Sequence, residues 1–137
     1  MNIVTSVPFD LDYRHPDYPI VSLAAEYLQS VEGPFWKGIR GTGLAYGASM
    51  MKMTEANSLG FNIYRGSDVV KCYEVAKNIV MQHASGAVPV NVELLEGAVS
   101  MIINSIASVE KGYFSAAVSK YIDNFILQRG PNFNDYY

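Results

Sequence analysis

Arg40 and Tyr46 stand six residues apart in a glycine-rich stretch, and their side chains suit the binding of a carbonyl or carboxylate oxygen. Arginine carries a permanent cation whose N–H donors form a planar fork, and tyrosine carries a phenol that donates one hydrogen bond. The stretch runs from Trp36, the only tryptophan, to Gly47. If the chain is extended from Gly43 onward, Tyr46 begins a strand and Arg40 lies on the preceding turn, so that both side chains could converge on one oxygen.

The glycines of this stretch predict an unusual backbone. Such a density suits positive φ angles or the close approach of another part of the chain. A phosphate-binding loop is disfavoured, because the third glycine comes one place late and no strand leads directly into a helix. A second interpretation stays open, in which the stretch only begins a hairpin and Arg40 is a solvated or ion-paired surface residue. Four glycines fall within ten residues: Gly38, Gly41, Gly43 and Gly47.

The spacing Arg40-x5-Tyr46-Gly47 resembles the Arg-x5-Tyr-Gly signature in the C-terminal half of insulinase/pitrilysin-type zinc metallopeptidases, the inverzincins. The presequence-protease-like branch of that family is the most similar. Three further segments resemble a strand, a helix and the run into a last helix of the family: Ile3 to Phe9, Pro19 to Val31 and Gln128 to Pro131.

The resemblance implies a chain that is inactive by itself. Family members carry Arg and Tyr in a half that binds no zinc, and these residues close over peptide bound at a zinc site in the other half. The implied partners are therefore a peptide substrate and the zinc-bearing half of the parent chain, with zinc as cofactor of the parent only. Residues 1–137 are expected to form a single domain, a truncated C-terminal subdomain of a larger peptidase.

The residues themselves predict no catalytic group and no metal site in this chain. An inverzincin zinc site needs H-x-x-E-H, which places two imidazoles one helical turn apart, and that motif is absent. Cys72 and His83 are eleven residues apart, about 16 Å along a helix, which is too far for proton transfer. The acidic residues around His15, namely Asp10, Asp12 and Asp17, miss the spacing of a calcium loop.

The hydrophobic pattern predicts an α+β fold with an antiparallel sheet in β-α-β-β order and helices packed on one face. Leu59, Phe61 and Ile63 alternate with polar or small residues and should face the core. A helix from Tyr113 to Gln128 should bury Ala117, Tyr121, Ile122 and Phe125. The other predicted elements are a strand at 3–9, a helix at 19–31, strands at 43–52 and 55–64, a helix capped by Ser67 that ends near His83, and a helix capped by Asn91 that ends before Lys111.

Composition narrows the function classes. The net charge is −3, and the ten Lys and Arg residues are scattered, which argues against a nucleic-acid partner. Apolar runs are interrupted well before the roughly 20 residues that span a bilayer, so we expect no membrane partner. A single cysteine and the absence of a leader pattern favour a cytoplasmic location, with a mitochondrial one as alternative. Self-association through exposed surface stays open.

These patterns favour a non-catalytic C-terminal portion of a zinc metalloendopeptidase that degrades peptides, in which Arg40 and Tyr46 bind substrate. The alternative is a stand-alone protein- or peptide-binding module that accepts an extended peptide along an exposed strand edge. A third hypothesis is a small enzyme that uses Arg40 to bind a carboxylate substrate.

Overall fold

The computed structural model describes residues 4–8, 15–53, 56, 58–109 and 111–130. A three-stranded antiparallel sheet lies at its centre, in the order β1-β3-β2. The strands are β1 (Val4–Pro8), β2 (Ala45–Met53) and β3 (Ser58–Gly66). Strands β2 and β3 form the predicted hairpin, in which Ala48 pairs with Ile63 and Met50 pairs with Phe61.

The helices follow the predicted order. Pro19 lies in the first turn of the first helix, where its missing N–H costs no hydrogen bond. The predicted α+β class and β-α-β-β order are confirmed. The helical elements are α1 (Tyr18–Gln29), a π-helical segment (Trp36–Arg40), α2 (Val69–Ala84), α3 (Val92–Val109), α4 (Tyr113–Tyr121) and a second π-helical segment (Ile122–Ile126).

One of the two predicted N-caps is confirmed and the other is wrong. The Asn91 side chain accepts a hydrogen bond from the Leu94 backbone N–H at 2.9 Å, as expected of a cap of α3. Asp68, and not Ser67, caps α2, because its carboxylate accepts from the Lys71 backbone N–H at 3.0 Å. Ser67 instead donates its hydroxyl to the Leu44 carbonyl at 3.0 Å, which ties the end of β3 to the start of β2.

The core lies where β2, β3, α2 and the first π-helical segment meet. Phe61 and Ile63 are buried, Asn62 is half-buried and Tyr64 is exposed, so the predicted alternation is confirmed over this part of β3. At the start of the strand it is wrong, because Leu59 is only half-buried and Gly60 is buried. The Phe35 and Phe61 rings meet edge to face with centroids 5.5 Å apart, a favoured aromatic geometry. The buried cluster comprises Phe35, Ile39, Ala45, Phe61, Ile63, Cys72 and Ala76.

The predicted inner face of the last helix is wrong. Ala117, Tyr121, Ile122 and Phe125 are all exposed, and Phe125 has 72% of its surface accessible. The α-helix ends at Tyr121, and the chain continues as a π-helical segment instead of an α-helix to Gln128. The main contacts of α4 are with that segment and with α3, so no element of the described chain covers its apolar side.

Helix α3 is only partly covered. Its Ala98 is fully buried and it packs against α1, but Met101, one turn further along, is 55% exposed. With 18 residues and a mean hydropathy of 1.4, α3 is long and apolar enough to cross a membrane by length and composition. Ala98 is its single buried residue, and the expectation of no membrane partner stays a prediction.

Candidate functional site

The first part of the glycine-rich stretch is helical, and it was predicted to be a turn. The Gly41 N–H donates to the Trp36 carbonyl at 2.8 Å, an i to i−5 bond that makes Trp36–Arg40 a single π-helical turn. Thr42 donates its hydroxyl to the Gly38 carbonyl at 2.8 Å and thereby satisfies one of the free carbonyls at the helix end. Arg40 therefore occupies the last helical position.

Two glycines of the stretch have the conformational roles that were predicted. Gly38 lets the π-helical segment approach α2, because a Cβ at this position would lie 2.7 Å from Cδ1 of Ile79. Gly43 has a φ of +74°, in the left-handed region that glycine adopts at no steric cost. Gly43 thus turns the chain from the helical segment into β2.

The structure brings Arg40 and Tyr46 together on the surface. The Arg40 Cζ lies 4.7 Å from the centre of the Tyr46 ring and 5.8 Å from that of Trp36, within the range of cation–π attraction. Arg40 is exposed and Tyr46 is 57% exposed. Among the described residues, none forms an ion pair or hydrogen bond with the Arg40 guanidinium, so its N–H donors remain available. The role of the pair in substrate binding stays a prediction.

Two further residues extend this surface, and the sequence analysis missed them. The Tyr64 ring meets the Tyr46 ring edge to face, with centroids 6.0 Å apart, and the Arg65 Cζ lies 5.1 Å from the centre of the Tyr64 ring. The predicted hairpin was the one feature of the sequence that could have indicated them. Its pairing of Gly47 with Tyr64 places Tyr64 beside the start of β2. We call this surface the Arg–aromatic row: Trp36, Arg40, Tyr46, Tyr64 and Arg65.

Core packing and hydrogen bonds hold the backbone in place at the start of β2, where Tyr46 of the Arg–aromatic row lies. Ala45, between Leu44 and Tyr46, is buried in the core. The Leu44 carbonyl accepts hydrogen bonds from the Ser67 backbone N–H at 2.9 Å and from the Cys72 thiol at 3.6 Å. These bonds fix the backbone that carries Tyr46, so the Arg40–Tyr46 pair is held by the core below it.

Cys72 is fully buried and behaves as a structural residue. Burial raises the pKa of its thiol above the ordinary value of 9.0, and the nearby Asp68 charge raises it further. A raised pKa contributes stability that is fully present below pH 9.0 and is lost as the pH rises through the folded-state pKa.

We therefore expect the Cys72 thiol to react with a thiol reagent at pH 8 only at the rate at which the protein unfolds. Above about pH 9, the free energy of unfolding of the wild type should fall relative to that of Cys72→Ala. Alkylation kinetics at increasing denaturant, and unfolding curves of both proteins from pH 7 to 10, measure the two effects. Rapid alkylation of native protein would show that the thiol is accessible and the assignment wrong.

The other titratable groups singled out in the sequence do not assemble into a site. The His83 Nδ1 lies 2.8 Å from the Ile79 carbonyl, and its ring meets Tyr27 edge to face, so it makes contacts unrelated to those of Cys72. His15 lies beside Asp17, with Nδ1 and Oδ2 3.8 Å apart, while Asp10 and Asp12 lie outside the described residues. Within the described ranges, no three His, Cys, Asp or Glu side chains are grouped to hold a metal ion.

The outer edge of β2 is partly covered by α1. The Gln29 Oε1 accepts a hydrogen bond from the Met50 backbone N–H at 3.0 Å, and Lys52 donates to the Ser22 hydroxyl at 3.0 Å. Burial lowers the pKa of Lys52, and the charge of Glu26 opposes that shift. An extended peptide added to this edge would have to displace Gln29, which counts against the β-augmentation alternative.

Two cavities flank α2, and both are lined mainly by apolar side chains, with Lys77 at the first and His83 at the second. One, of about 190 Å³, lies between β3 and α2 and is lined mainly by side chains such as Phe61 and Met81. The other, of about 330 Å³, lies between α1, the end of α2 and the start of α3. An exposed guanidinium with no ion-pair partner among the described residues lies instead beside an exposed phenol on the Arg–aromatic row, at Arg40 and Tyr46, and this row is therefore the candidate site.

The chain is similar to segments of three much longer proteins. It is 64% identical over 137 residues to an uncharacterized protein of Saccharomyces cerevisiae, a match that covers the whole chain and 13% of that protein. An uncharacterized protein of Schizosaccharomyces pombe is 33% identical over 80% of the chain and 10% of its own length. One of Caenorhabditis elegans is 29% identical over 85% of the chain and 12% of its own length. The chain thus spans about an eighth or less of these relatives.

Two solved structures share the fold. The inactive peptidase domain of a candidate zinc protease of Bordetella parapertussis superposes with a TM-score of 0.70, at 21% identity, over 98% of this chain and 81% of that one. A candidate zinc protease of Bordetella pertussis Tohama I gives a TM-score of 0.66 at 20% identity, over 87% and 73%. No protein-family model matches the chain. The chain therefore has a metallopeptidase-like fold.

Proposed function

We propose that this chain is a non-catalytic portion of a zinc metalloendopeptidase of the insulinase type that degrades peptides. In this proposal Arg40 and Tyr46 bind substrate at a zinc site that another part of the longer protein provides. By the longer protein we mean a polypeptide that contains this chain and has about the length of the yeast relative. The observation that carries the proposal is the stacked, exposed and unneutralised Arg40 beside Tyr46, on a fold similar to an inactive peptidase domain.

Each side chain has a distinct part in holding a peptide. The Tyr46 hydroxyl donates a hydrogen bond to the carbonyl oxygen of the bond to be cleaved, and this bond strengthens as negative charge develops on that oxygen. The Arg40 fork donates to the same oxygen or to the next backbone carbonyl of the substrate. Because Arg40 already lies over the Tyr46 ring, little side-chain entropy is lost when the peptide binds. Zinc, when bound, supplies Lewis acidity at the scissile carbonyl.

The zinc-bearing part of the longer protein is the partner that fits the apolar surface of the last helices. A group of large exposed apolar side chains of this kind marks an interaction surface, and the relatives contain more than six times as much additional chain to cover it. Its composition, aromatic and aliphatic with few charges, suits a permanent intrachain interface. The exposed apolar side chains of α3, α4 and the second π-helical segment include Met101, Ile103, Tyr113, Phe114, Tyr121, Phe125 and Ile126.

The experiment that tests the function compares two proteins for metal and activity. The longer protein is expected to contain about one zinc per molecule and to cleave peptides until a chelator removes the metal. The 137-residue chain alone is expected to bind no stoichiometric zinc and to cleave nothing. Metal analysis and a fluorescent peptide assay of both proteins measure this. Zinc in the short chain, or metal-independent cleavage by the longer protein, would contradict the proposal.

The location follows from the partners proposed. A peptidase that degrades released peptides works in the compartment in which those peptides arise, and we propose the cytoplasm, with the mitochondrion as alternative. Fluorescence microscopy of the longer protein with a C-terminal tag distinguishes the two compartments.

A further inference from the structure

Arg65 has a backbone conformation that its side chain does not favour. Its φ is +52°, in the left-handed region, where residues other than glycine, asparagine and aspartate are uncommon. Gly66, the next residue, would adopt this conformation without strain, yet the positive φ falls on the arginine. Strained positions of this kind persist where the surrounding structure fixes them, and they concentrate at functional sites.

The conformation of Arg65 places its guanidinium at the end of the Arg–aromatic row. Its Cζ lies 5.1 Å from the centre of the Tyr64 ring, and Tyr64 in turn contacts Tyr46. Arg65 is exposed, and no described residue forms an ion pair with it. The row therefore contains two arginines, Arg40 and Arg65, that lie over aromatic rings and lack a carboxylate partner within the part of the chain that the structure describes.

We propose that Arg65 is a second substrate-binding residue that recognises a carboxylate on the peptide held by Arg40 and Tyr46. This inference rests on the proposed function and names its substrate class, which is acidic peptides. The planar fork of arginine suits a carboxylate, with which it forms two parallel hydrogen bonds. The carboxylate belongs either to an acidic side chain or to the C-terminus of the peptide.

The geometry bounds where that carboxylate lies along the substrate. Successive separations along the row are 4.7 Å from Arg40 to Tyr46, 6.0 Å from Tyr46 to Tyr64 and 5.1 Å from Tyr64 to Arg65. An extended peptide rises about 3.3 Å per residue, so the two steps from Tyr46 to Arg65 place the carboxylate within about four residues of the bond held at Tyr46.

The test is the selectivity of the longer protein between matched peptides. A quenched fluorescent peptide of eight residues with a single glutamate is compared with its glutamine counterpart, and a free C-terminus is compared with an amide. Arg65→Gly is expected to lower the kcat/KM ratio of the glutamate over the glutamine peptide about tenfold, the scale of one charge-assisted hydrogen bond. The melting temperature should not fall, because glycine favours this φ. If the recognised carboxylate is terminal, the acid-over-amide ratio falls instead.

The control removes one positive charge from a different exposed position. Lys111→Ala, in the turn before α4, should leave the peptide ratios unchanged, whereas Arg65→Lys should restore part of the glutamate preference. Equal loss for acidic and neutral peptides, or a lower melting temperature with unchanged ratios, would assign Arg65 a structural role and overturn the inference. Displacement of the acidic peptide by a single-stranded oligonucleotide bound more tightly than the peptide would also overturn it.

Binding distinguishes this inference from the proposed function. Fluorescence anisotropy of the same peptides, measured with the longer protein and a chelator, reports recognition without cleavage. If the longer protein cleaves no peptide, the proposed function fails, and the inference stands only if the glutamate peptide binds more tightly than the glutamine peptide and Arg65→Gly removes that difference. If cleavage is zinc-dependent but Arg65→Gly leaves both ratios unchanged, the proposed function stands and the inference fails.

Discussion

Replacing Tyr46 with phenylalanine in the longer protein is expected to lower kcat about 100- to 1000-fold, the usual scale for the loss of one hydrogen bond to a developing oxyanion. The substitution removes only the hydroxyl, so the ring remains under Arg40 and against Tyr64. Tyr46 is 57% exposed and lies outside the buried core, so the fold should not change. Steady-state kinetics with a fluorescent peptide, together with metal analysis of each sample, measure the effect.

Arg40→Lys should reduce kcat to a similar extent, since a compact ammonium cannot reproduce the planar fork or its stacking on the Tyr46 ring. If both residues act on one oxygen, the double variant should be little worse than the more damaging single one. Lys37→Gln, at an exposed position of the same π-helical segment, is the matched control and should leave kcat unchanged. Additive losses would show that the two side chains act on separate groups.

Replacing Phe61 or Ile63 with alanine is expected to cost about 2 to 5 kcal/mol of unfolding free energy, the range measured for large-to-small changes in packed cores. Phe61 packs edge to face on Phe35, and Ile63 has only 1% of its surface exposed, beside Cys72 and Gly66. Both substitutions leave cavities that the sheet cannot easily collapse. Denaturant unfolding monitored by circular dichroism gives the values.

Asn62→Ala is the control for the register of β3. Asn62 is half-buried, and its side-chain amide donates a long hydrogen bond of 3.5 Å to the Ser49 hydroxyl, so the substitution should cost well under about 1 kcal/mol. A one-residue shift in register would exchange the faces of the strand, and Asn62 would then be the sensitive position. A larger loss at Asn62 than at Phe61 would therefore contradict the register.

Local patterns in the sequence predicted the elements that depend on local rules. The alternation identified Phe61 and Ile63 as buried residues of β3, because a strand with one face on the core exposes every second residue. The hairpin and the Asn91 cap are also short-range features, and both were predicted correctly. The spacing of Arg40 and Tyr46 pointed to one surface, and the structure brings these residues within cation–π distance.

Features that depend on long-range packing were not predictable in this way. The apolar stripe of α4 predicted an inner face at Tyr121 and Phe125, but a stripe shows that a face needs a partner and not which part of the chain provides it. The π-helical turn at Trp36–Arg40 packs on α2 with Gly38 close to Ile79, a contact between segments far apart in sequence that no local pattern indicates. Arg65 joined the candidate site only because the hairpin places Tyr64 beside Tyr46.

The central claim is that Arg40 and Tyr46 reach substrate at a zinc site elsewhere in the longer protein, and peptide turnover and melting temperature measured on the same samples test it most directly. For Tyr46→Phe and Arg40→Lys, we predict that turnover falls about 100-fold or more while zinc content and melting temperature stay at the wild-type values. A parallel fall in turnover and melting temperature would show instead that the pair stabilises the fold, and the claim would be wrong.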